Sequence, residues 1–342
     1  MRKISVIIPC HNVVHEIDRC MTSIVTQTIG MDALEIICVD DASTDETWMC
    51  LQRWEQLFPD HMILIRQEVN GRQGTARNIG LQYSSADWIA FVDADDWLEP
   101  DYFERLYRPV GKFKCDVIAC RWKMDDSSSL TCFDAGIRSL NEEQYISADT
   151  AEITKQIFVE RKLGMAAWGK LLRKGLLMEH GIRFPEGLTY EDEYWIPLLH
   201  ICASGIYVME KPLYHYYINS RSVINSKNMD FQMDWITVQS MKWMEYERRG
   251  ILKEYYEEIE YDLLSSTASL LSRIILQYDQ PSFSYVRLLS EFIRGHAPDY
   301  KKNRYIGKLS EAHLMFLGIL YSAAGRSELQ QFTEQIQRIM ES

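Results

Sequence analysis

Near the start of the chain apolar residues come in short unbroken runs; toward its end they recur every third or fourth place. Ile4–Ile8, Leu34–Val39, Met62–Gln67 and Asp87–Val92 are such runs, the pattern of strands buried on both faces. Between them Ile17, Cys20, Met21, Ile24 and Val25 fall at helical spacing, and Thr47–Phe58 and Thr75–Ser84 predict two further helices. The order βαβαβαβ with short connections predicts an open, mostly parallel α/β sheet flanked by helices. After Pro100 the pattern predicts a helix to about Arg108, a strand over Asp116–Trp122, a polar loop over Asp125–Ser129 and a helix within 141–163. A helix from Glu191 through His200 and two strands, Ile206–Met209 and Pro212–Tyr217, follow. Residues 231–249, 253–278, 282–295 and 305–340 carry apolar stripes opposite charged faces, which predicts an all-helical C-terminal region over 226–342. In that region Trp235 and Trp243 read as helix core or as a subunit contact.

Candidate chemistry gathers where the predicted strands end. Asp93, Asp95 and Asp96 close the fourth strand, and Asp40 and Asp41 close the second. Parallel strands bring both clusters to one sheet edge, where open α/β sheets bind ligands. Clustered carboxylates repel one another unless neutralised, and a hard divalent cation shared with substrate phosphates does this well. The alternative is an acidic loop that solvates a strand end and caps the next helix. The loop Asn70–Gly74 opens the third helix with Arg77 close behind, and together these can hold a phosphate, although Gly71 and Gly74 can equally make turns.

Composition narrows the classes. With 342 residues there is enough chain for a sizeable core and two structural parts. A formal net charge of −12 argues against nucleic acid and against anionic lipid as partners. The eight cysteines form no CxxC pair, so neither a zinc site nor a disulfide framework is indicated. Arg2-Lys3 leads straight into a strand without a signal-peptide pattern, which points to reduced thiols and a cytoplasmic setting. Leu314–Ala324, the longest uncharged apolar stretch, is too short to span a bilayer.

Four ordered motifs carry a family resemblance: Val6-Ile-Ile-Pro9 with Asn12, Val39-Asp-Asp-Ala-Ser-Thr-Asp45, Asn70-Gly71 with Gly74-Ala-Arg-Asn78, and Phe91-Val-Asp-Ala-Asp-Asp96. They resemble the nucleotide-binding half of a family-2 glycosyltransferase of the GT-A (Rossmann-like) fold. The likeness continues less tightly through Trp168 with Lys170, Glu191-Asp192, and Tyr214-His-Tyr-Tyr217 with Ser222. It implies a catalytic domain over 1–225, divided into a nucleotide-binding half (1–100) and an acceptor-side half (101–225). The implied activity is inverting transfer of a sugar from a nucleotide sugar, most often a UDP-sugar, to a hydroxyl of a glycan or lipid-linked glycan, in a bacterial surface polysaccharide or glycoconjugate pathway. By the same resemblance Pro9 and Asp41 border the base, with Asp40 and Asn12 supporting that loop. Gly74, Arg77 and Asn78 lie by the nucleotide or its phosphates. Asp93 meets the ribose or the metal, Asp95 ligates Mn²⁺ or Mg²⁺, and His215 is a further metal or diphosphate contact. Asp192 is the general base, with Glu191 or Glu193 as substitutes.

Other roles stay open at this point. Trp168 suits either an acceptor platform or the core, and Tyr214, Tyr216 and Tyr217 suit packing. His11 reads as a loop residue, and Arg221 meets a phosphate or solvent. A metal-dependent nucleotidyltransferase and a non-catalytic nucleotide-sugar or glycan-binding protein are the competing functions. The helical tail packs on the catalytic domain, forms a homo-oligomer contact, or docks peripherally at the inner membrane face.

Overall fold

A computed structural model describes residues 2–125, 143–218, 229–277, 282–322 and 325–341. Strands β1 (Ile4–Cys10), β2 (Leu34–Asp40), β3 (Met62–Arg66) and β4 (Trp88–Phe91) lie in the order β3-β2-β1-β4, all parallel. Helices α1 (Ile17–Val25), α2 (Thr47–Leu57) and α3 (Arg72–Tyr83) make the crossovers. Every residue of β1, β2 and β4 is buried, which is why these strands read as apolar runs rather than as alternation. The chain builds outward from β1 to β3, then crosses back to add β4 on the other side of β1. The carboxyl ends of β1 and β4 therefore flank a topological switch point.

Past β4 the sheet becomes mixed. The elements are β5 (Trp97–Leu98), α4 (Tyr102–Tyr107), β6 (Val117–Asp125), β7 (Gln144–Ser147), α5 (Ala151–Val159), β8 (Lys170–Arg173), α6 (Lys174–Glu179), α7 (Glu191–Cys202) and β9 (Gly205–Tyr217). β8 runs antiparallel between β4 and β6, and β9 lies parallel beside β6 while pairing antiparallel with β5 and β7.

Several expected boundaries are corrected. The helix expected within 141–163 is the short strand β7 followed by α5, where the Thr150 hydroxyl accepts from the Ile153 N–H at 3.3 Å and caps the helix. The two expected strands 206–209 and 212–217 are one strand, β9. Pro212, which cannot donate to a ladder, sits beside register shifts that absorb the missing bond. α3 begins at Arg72 rather than Thr75, since the Asn70 side chain accepts the Arg72 N–H at 3.0 Å. The strand expected to stop at Trp122 runs to Asp125, and the remainder of the expected polar loop lies outside the described residues, as do Arg221 and Ser222.

The chain divides into two compact units, residues 1–220 and 221–342. The second contains α8 (Met229–Arg248), α9 (Tyr256–Gln277), α10 (Phe283–His296), α11 (Glu311–Ser322) and α12 (Arg326–Glu341). The helix expected over 305–340 is thus two helices, with Gly325 between them donating its N–H to Glu328 at 2.7 Å. α9 is buried almost all round and packs against α10 and α11; its Leu264, Leu271 and Ile274 are buried, as are Leu289 and Ile293 of α10 and Leu317 of α11. Trp235 is buried, and Trp243 packs edge-on against His296 at 4.6 Å. Among the described residues no helix is long and apolar enough to cross a membrane.

Candidate active site

The loops that leave β1, β2 and β3 are tied into one floor. Asn12 adopts a left-handed φ of 53°, and its Oδ1 accepts the Thr44 N–H at 2.8 Å while its own N–H donates to Ser43 Oγ at 3.0 Å. Asp40 is fully buried, pairs with Arg66 at 3.1 Å and accepts the Ser43 N–H at 3.2 Å. Asp41 donates its N–H to the Cys10 carbonyl at 2.8 Å and takes the Gly71 N–H on Oδ1 at 2.7 Å. Pro9 is buried in β1 opposite Val39. His11, read as a loop residue, hydrogen-bonds the Asp41 carbonyl through Nδ1 at 2.7 Å and so joins the same lattice. Pro9, Asn12, Asp40 and Asp41 thus meet at one sheet edge.

Helix α3 faces the segment that precedes α7. A Cβ on Gly74 would land on the Pro185 carbonyl oxygen, so only glycine allows this approach. Asn78 donates to the Phe184 carbonyl at 2.9 Å and to Glu186 at 3.0 Å, and accepts the Phe184 N–H at 3.0 Å. Phe184 stacks on Trp195 of α7 with centroids 4.4 Å apart, and both pack edge-on against Phe91 of β4. This aromatic group draws the start of α7 toward the end of β4. Arg77 bridges them: its guanidinium donates to Asp93 Oδ1 at 2.8 Å and to Glu191 Oε1, with the Phe184 ring 5.4 Å away. Burial works against the charge on Arg77, yet Asp93 and Glu191 raise its pKa further. The resemblance puts Gly74, Arg77 and Asn78 by the nucleotide or its phosphates. Here Gly74 is set by close packing, and the side chains of Arg77 and Asn78 are committed to protein partners.

Asp93, Asp95 and Asp96 form a turn closed by the Asp96 N–H to the Asp93 carbonyl at 3.1 Å. Tyr214 of β9 accepts the Asp93 N–H at 3.1 Å and donates its hydroxyl to Asp96 Oδ2 at 2.5 Å, while the Tyr217 N–H takes Asp96 Oδ1 at 2.8 Å. Arg19, sandwiched between Trp97 and Tyr217 at 4.0 and 4.4 Å, donates to the Asp95 carbonyl at 2.7 Å. Burial first, and Asp93 second, push the Asp95 carboxyl up to about 7. Such a group gains most from a neighbouring cation.

Among the described residues no three His, Cys, Asp or Glu side chains form a metal-holding group. Asp93 and Asp95 supply two hard oxygen donors, which with two phosphate oxygens fit a small divalent cation. His215 stacks its ring on Trp97 at 4.9 Å, and its Nε2 faces Glu99 at 3.1 Å.

At the start of α7, Tyr190 takes a left-handed φ of 63° and turns three acids into the first helical turn. Glu191 is buried against Arg77. Burial, followed by the charges of Glu191 and Glu193, pushes the neighbouring Asp192 carboxyl up to about 8, and its Oδ1 accepts the Glu193 N–H at 2.9 Å. A carboxyl whose pKa lies near neutrality suits proton transfer.

Trp168 stacks on Tyr214 at 4.4 Å and on Tyr216 at 5.5 Å and meets Trp122 edge-on at 5.4 Å. Sequence reasoning gave Tyr214 only a packing role and gave no role to Arg19 or Lys170. Buried Lys170 donates to the carbonyls of Ala166 at 2.5 Å and Trp168 at 3.2 Å, and burial pushes its ammonium down to about 7. Tyrosines alternating along a strand read equally as core, and nothing in the spacing says that one hydroxyl reaches the acid turn.

Residues 5–164 match the family model described as Glycosyl transferase family 2. The chain is similar to Glycosyltransferase GlyA of Streptococcus pneumoniae serotype 4, 30% identical over 280 residues that make up 79% of this chain and 39% of that protein. It is also similar to the Poly(ribitol-phosphate) beta-glucosyltransferase of Bacillus spizizenii, 25% identical over 323 residues, 92% of this chain and 48% of that one. The chain therefore spans less than half the length of both relatives. A crystal structure of S. aureus TarS 1-349 in complex with UDP-GlcNAc has the same fold, with a TM-score of 0.58 over 93% of this chain and 80% of that chain, at 19% identity.

Proposed function

Residues 5–164 form a family 2 glycosyltransferase domain, and from that premise we propose that the chain is an inverting glycosyltransferase moving a sugar from a UDP-sugar to a hydroxyl of a surface polysaccharide or glycoconjugate. The observation that carries this reading is Arg77, which holds Asp93 of the donor edge and Glu191 of the acid helix start on one guanidinium. That bridge supports a base at Asp192, the neighbour of Glu191, working with a diphosphate site at Asp93 and Asp95. UDP-GlcNAc in the TarS crystal structure supports a UDP-sugar as donor. The named activity of the B. spizizenii relative supports a surface polymer as acceptor.

The residues then divide the work. Pro9, Asn12, Asp40 and Asp41 form the floor for the nucleoside. Asp93 and Asp95 would hold Mn²⁺ or Mg²⁺, which supplies positive charge against the departing diphosphate. Asp192 takes the proton of the acceptor hydroxyl as that oxygen attacks the anomeric carbon from the face opposite the leaving group. One base suffices, no sugar–enzyme bond forms, and configuration inverts. Arg77 is paired with Asp93 and Glu191, and its charge lowers the Asp192 pKa by less than burial and the two glutamates raise it.

The test is UDP release from a panel of UDP-sugars with Mn²⁺ or with EDTA, on wild type and Asp192→Asn. Metal-dependent release from one donor, lost in the variant, is expected. Metal-dependent UDP binding without turnover would favour a binding protein, and no nucleotide binding at all would sink the reading.

A further inference from the structure

The acid turn after β4 is anchored at nearly every polar group by neighbours outside it. Asp93 is held at its N–H by Tyr214 and at its carboxylate by Arg77. The Cys20 thiol faces the Asp93 carbonyl at 3.7 Å, and Arg19 holds the Asp95 carbonyl at 2.7 Å. Asp96 is fully buried with both oxygens engaged, Oδ1 by the Tyr217 N–H and Oδ2 by the Tyr214 hydroxyl. Asp96 cannot turn toward a cation without breaking both bonds. Among the described residues, the Asp95 carboxylate is the one in this turn left without a side-chain partner.

We propose that Tyr214 is a positioning residue for the metal-binding turn, clamping Asp93 and Asp96 so that Asp95 presents its carboxylate, and that Asp96 is an anchor rather than a ligand. The inference rests on the functional reading above and deepens it. Groups that orient metal ligands from behind fix the angle and distance at which the ligand oxygen meets the ion. Tyr214 suits this task because its ring is immobilised: Trp168 stacks on it at 4.4 Å and 7°, and it is fully buried. A hydroxyl on a ring that cannot swing makes a rigid strut between the two ends of the turn.

The experiment is calorimetric titration of UDP, in Mn²⁺ and in EDTA, into wild type, Tyr214→Phe, Asp96→Asn and Asp95→Asn. Tyr214→Phe should lose about tenfold in the Mn²⁺-dependent affinity, with UDP affinity in EDTA and the circular dichroism spectrum unchanged. A general packing defect would weaken both affinities together. Asp96→Asn keeps an acceptor for the Tyr217 N–H but loses the oxygen that takes the Tyr214 hydroxyl, so it should show a loss no deeper than that of Tyr214→Phe, whereas Asp95→Asn should lose the Mn²⁺ dependence altogether. Wild-type affinity in Tyr214→Phe, or an Asp96→Asn defect as deep as that of Asp95→Asn, would overturn the proposal alone. Absence of any Mn²⁺-dependent UDP binding in the wild type would overturn the functional reading and the proposal together.

Discussion

Two trios of acids face the same arginine and are prepared for opposite chemistry. Asp93, Asp95 and Asp96 close a strand, and Glu191, Asp192 and Glu193 open a helix. In each trio Arg77 takes one member, Asp93 or Glu191, and leaves a neighbour whose carboxyl is pushed up, Asp95 to about 7 and Asp192 to about 8. They differ in what can relieve that shift. The strand-end trio is locked by Tyr214, Tyr217 and Arg19 and has the donor set of a hard cation. The helix-start trio crowds a buried Asp192 between two glutamates, which favours its protonated form. On the function proposed above, the same residue types would serve electrostatics in one place and proton transfer in the other because of what surrounds them.

The comparison predicts opposite failures. Asp192→Asn should cut transfer by about 10²–10⁴-fold, the range for removing a positioned general base, with Mn²⁺-dependent UDP affinity intact. Asp95→Asn should remove that affinity's metal dependence. Steady-state kinetics beside UDP titration separate the two, and parallel losses in both variants would erase the division of labour.

Arg77→Met strikes both trios at once. Removing one partner of a buried ion pair costs about 3–5 kcal/mol, because the carboxylates remain buried without a cation. Urea unfolding should show a loss of that order. A loss below about 1 kcal/mol, the range of exposed pairs, would mean that the bridge does not join the trios.

How much of this the sequence carries follows from how local each feature is. The four parallel strands and their helices are legible because burial on both faces writes apolar runs, and strand-end acids stand out against them. β7 is illegible because Gln144–Ser147 is too short for alternation to rise above its surroundings, and Pro212 makes the continuous β9 look like two strands. Arg77 looks like a phosphate ligand from its place near a helix start. That Glu191, far along the chain, shares its guanidinium depends on Phe184 and Trp195 packing, and no spacing encodes that. Tyr214 is hidden for the same reason.

A smaller effect concerns rate against pH. If Asp192 must be ionised to accept a proton, kcat/KM should climb with pH toward a plateau above about 8. A profile flat from pH 6 to 9 would remove Asp192 from the base role and turn attention to Glu191 or Glu193.

The smallest effect sharpens the contrast without any substrate. An acid whose folded pKa exceeds its unfolded value keeps its proton in the fold while the unfolded chain releases it. Asp192 therefore lowers stability progressively as pH rises from about 4, the unfolded value, to about 8. Asparagine has no charge to desolvate and can still accept the Glu193 N–H. Asp192→Asn should accordingly melt with the wild type at pH 4 and above it at pH 8, by roughly 2–4 °C for each kcal/mol relieved. Lys170, pushed down to about 7, acts in the opposite sense, since its stability contribution recovers as pH rises through 7. It is present in both proteins and largely cancels in the difference. A Tm difference that does not grow between pH 4 and 8 would mean that Asp192 is not held protonated by its surroundings, and the contrast with Asp95 would lose its physical basis.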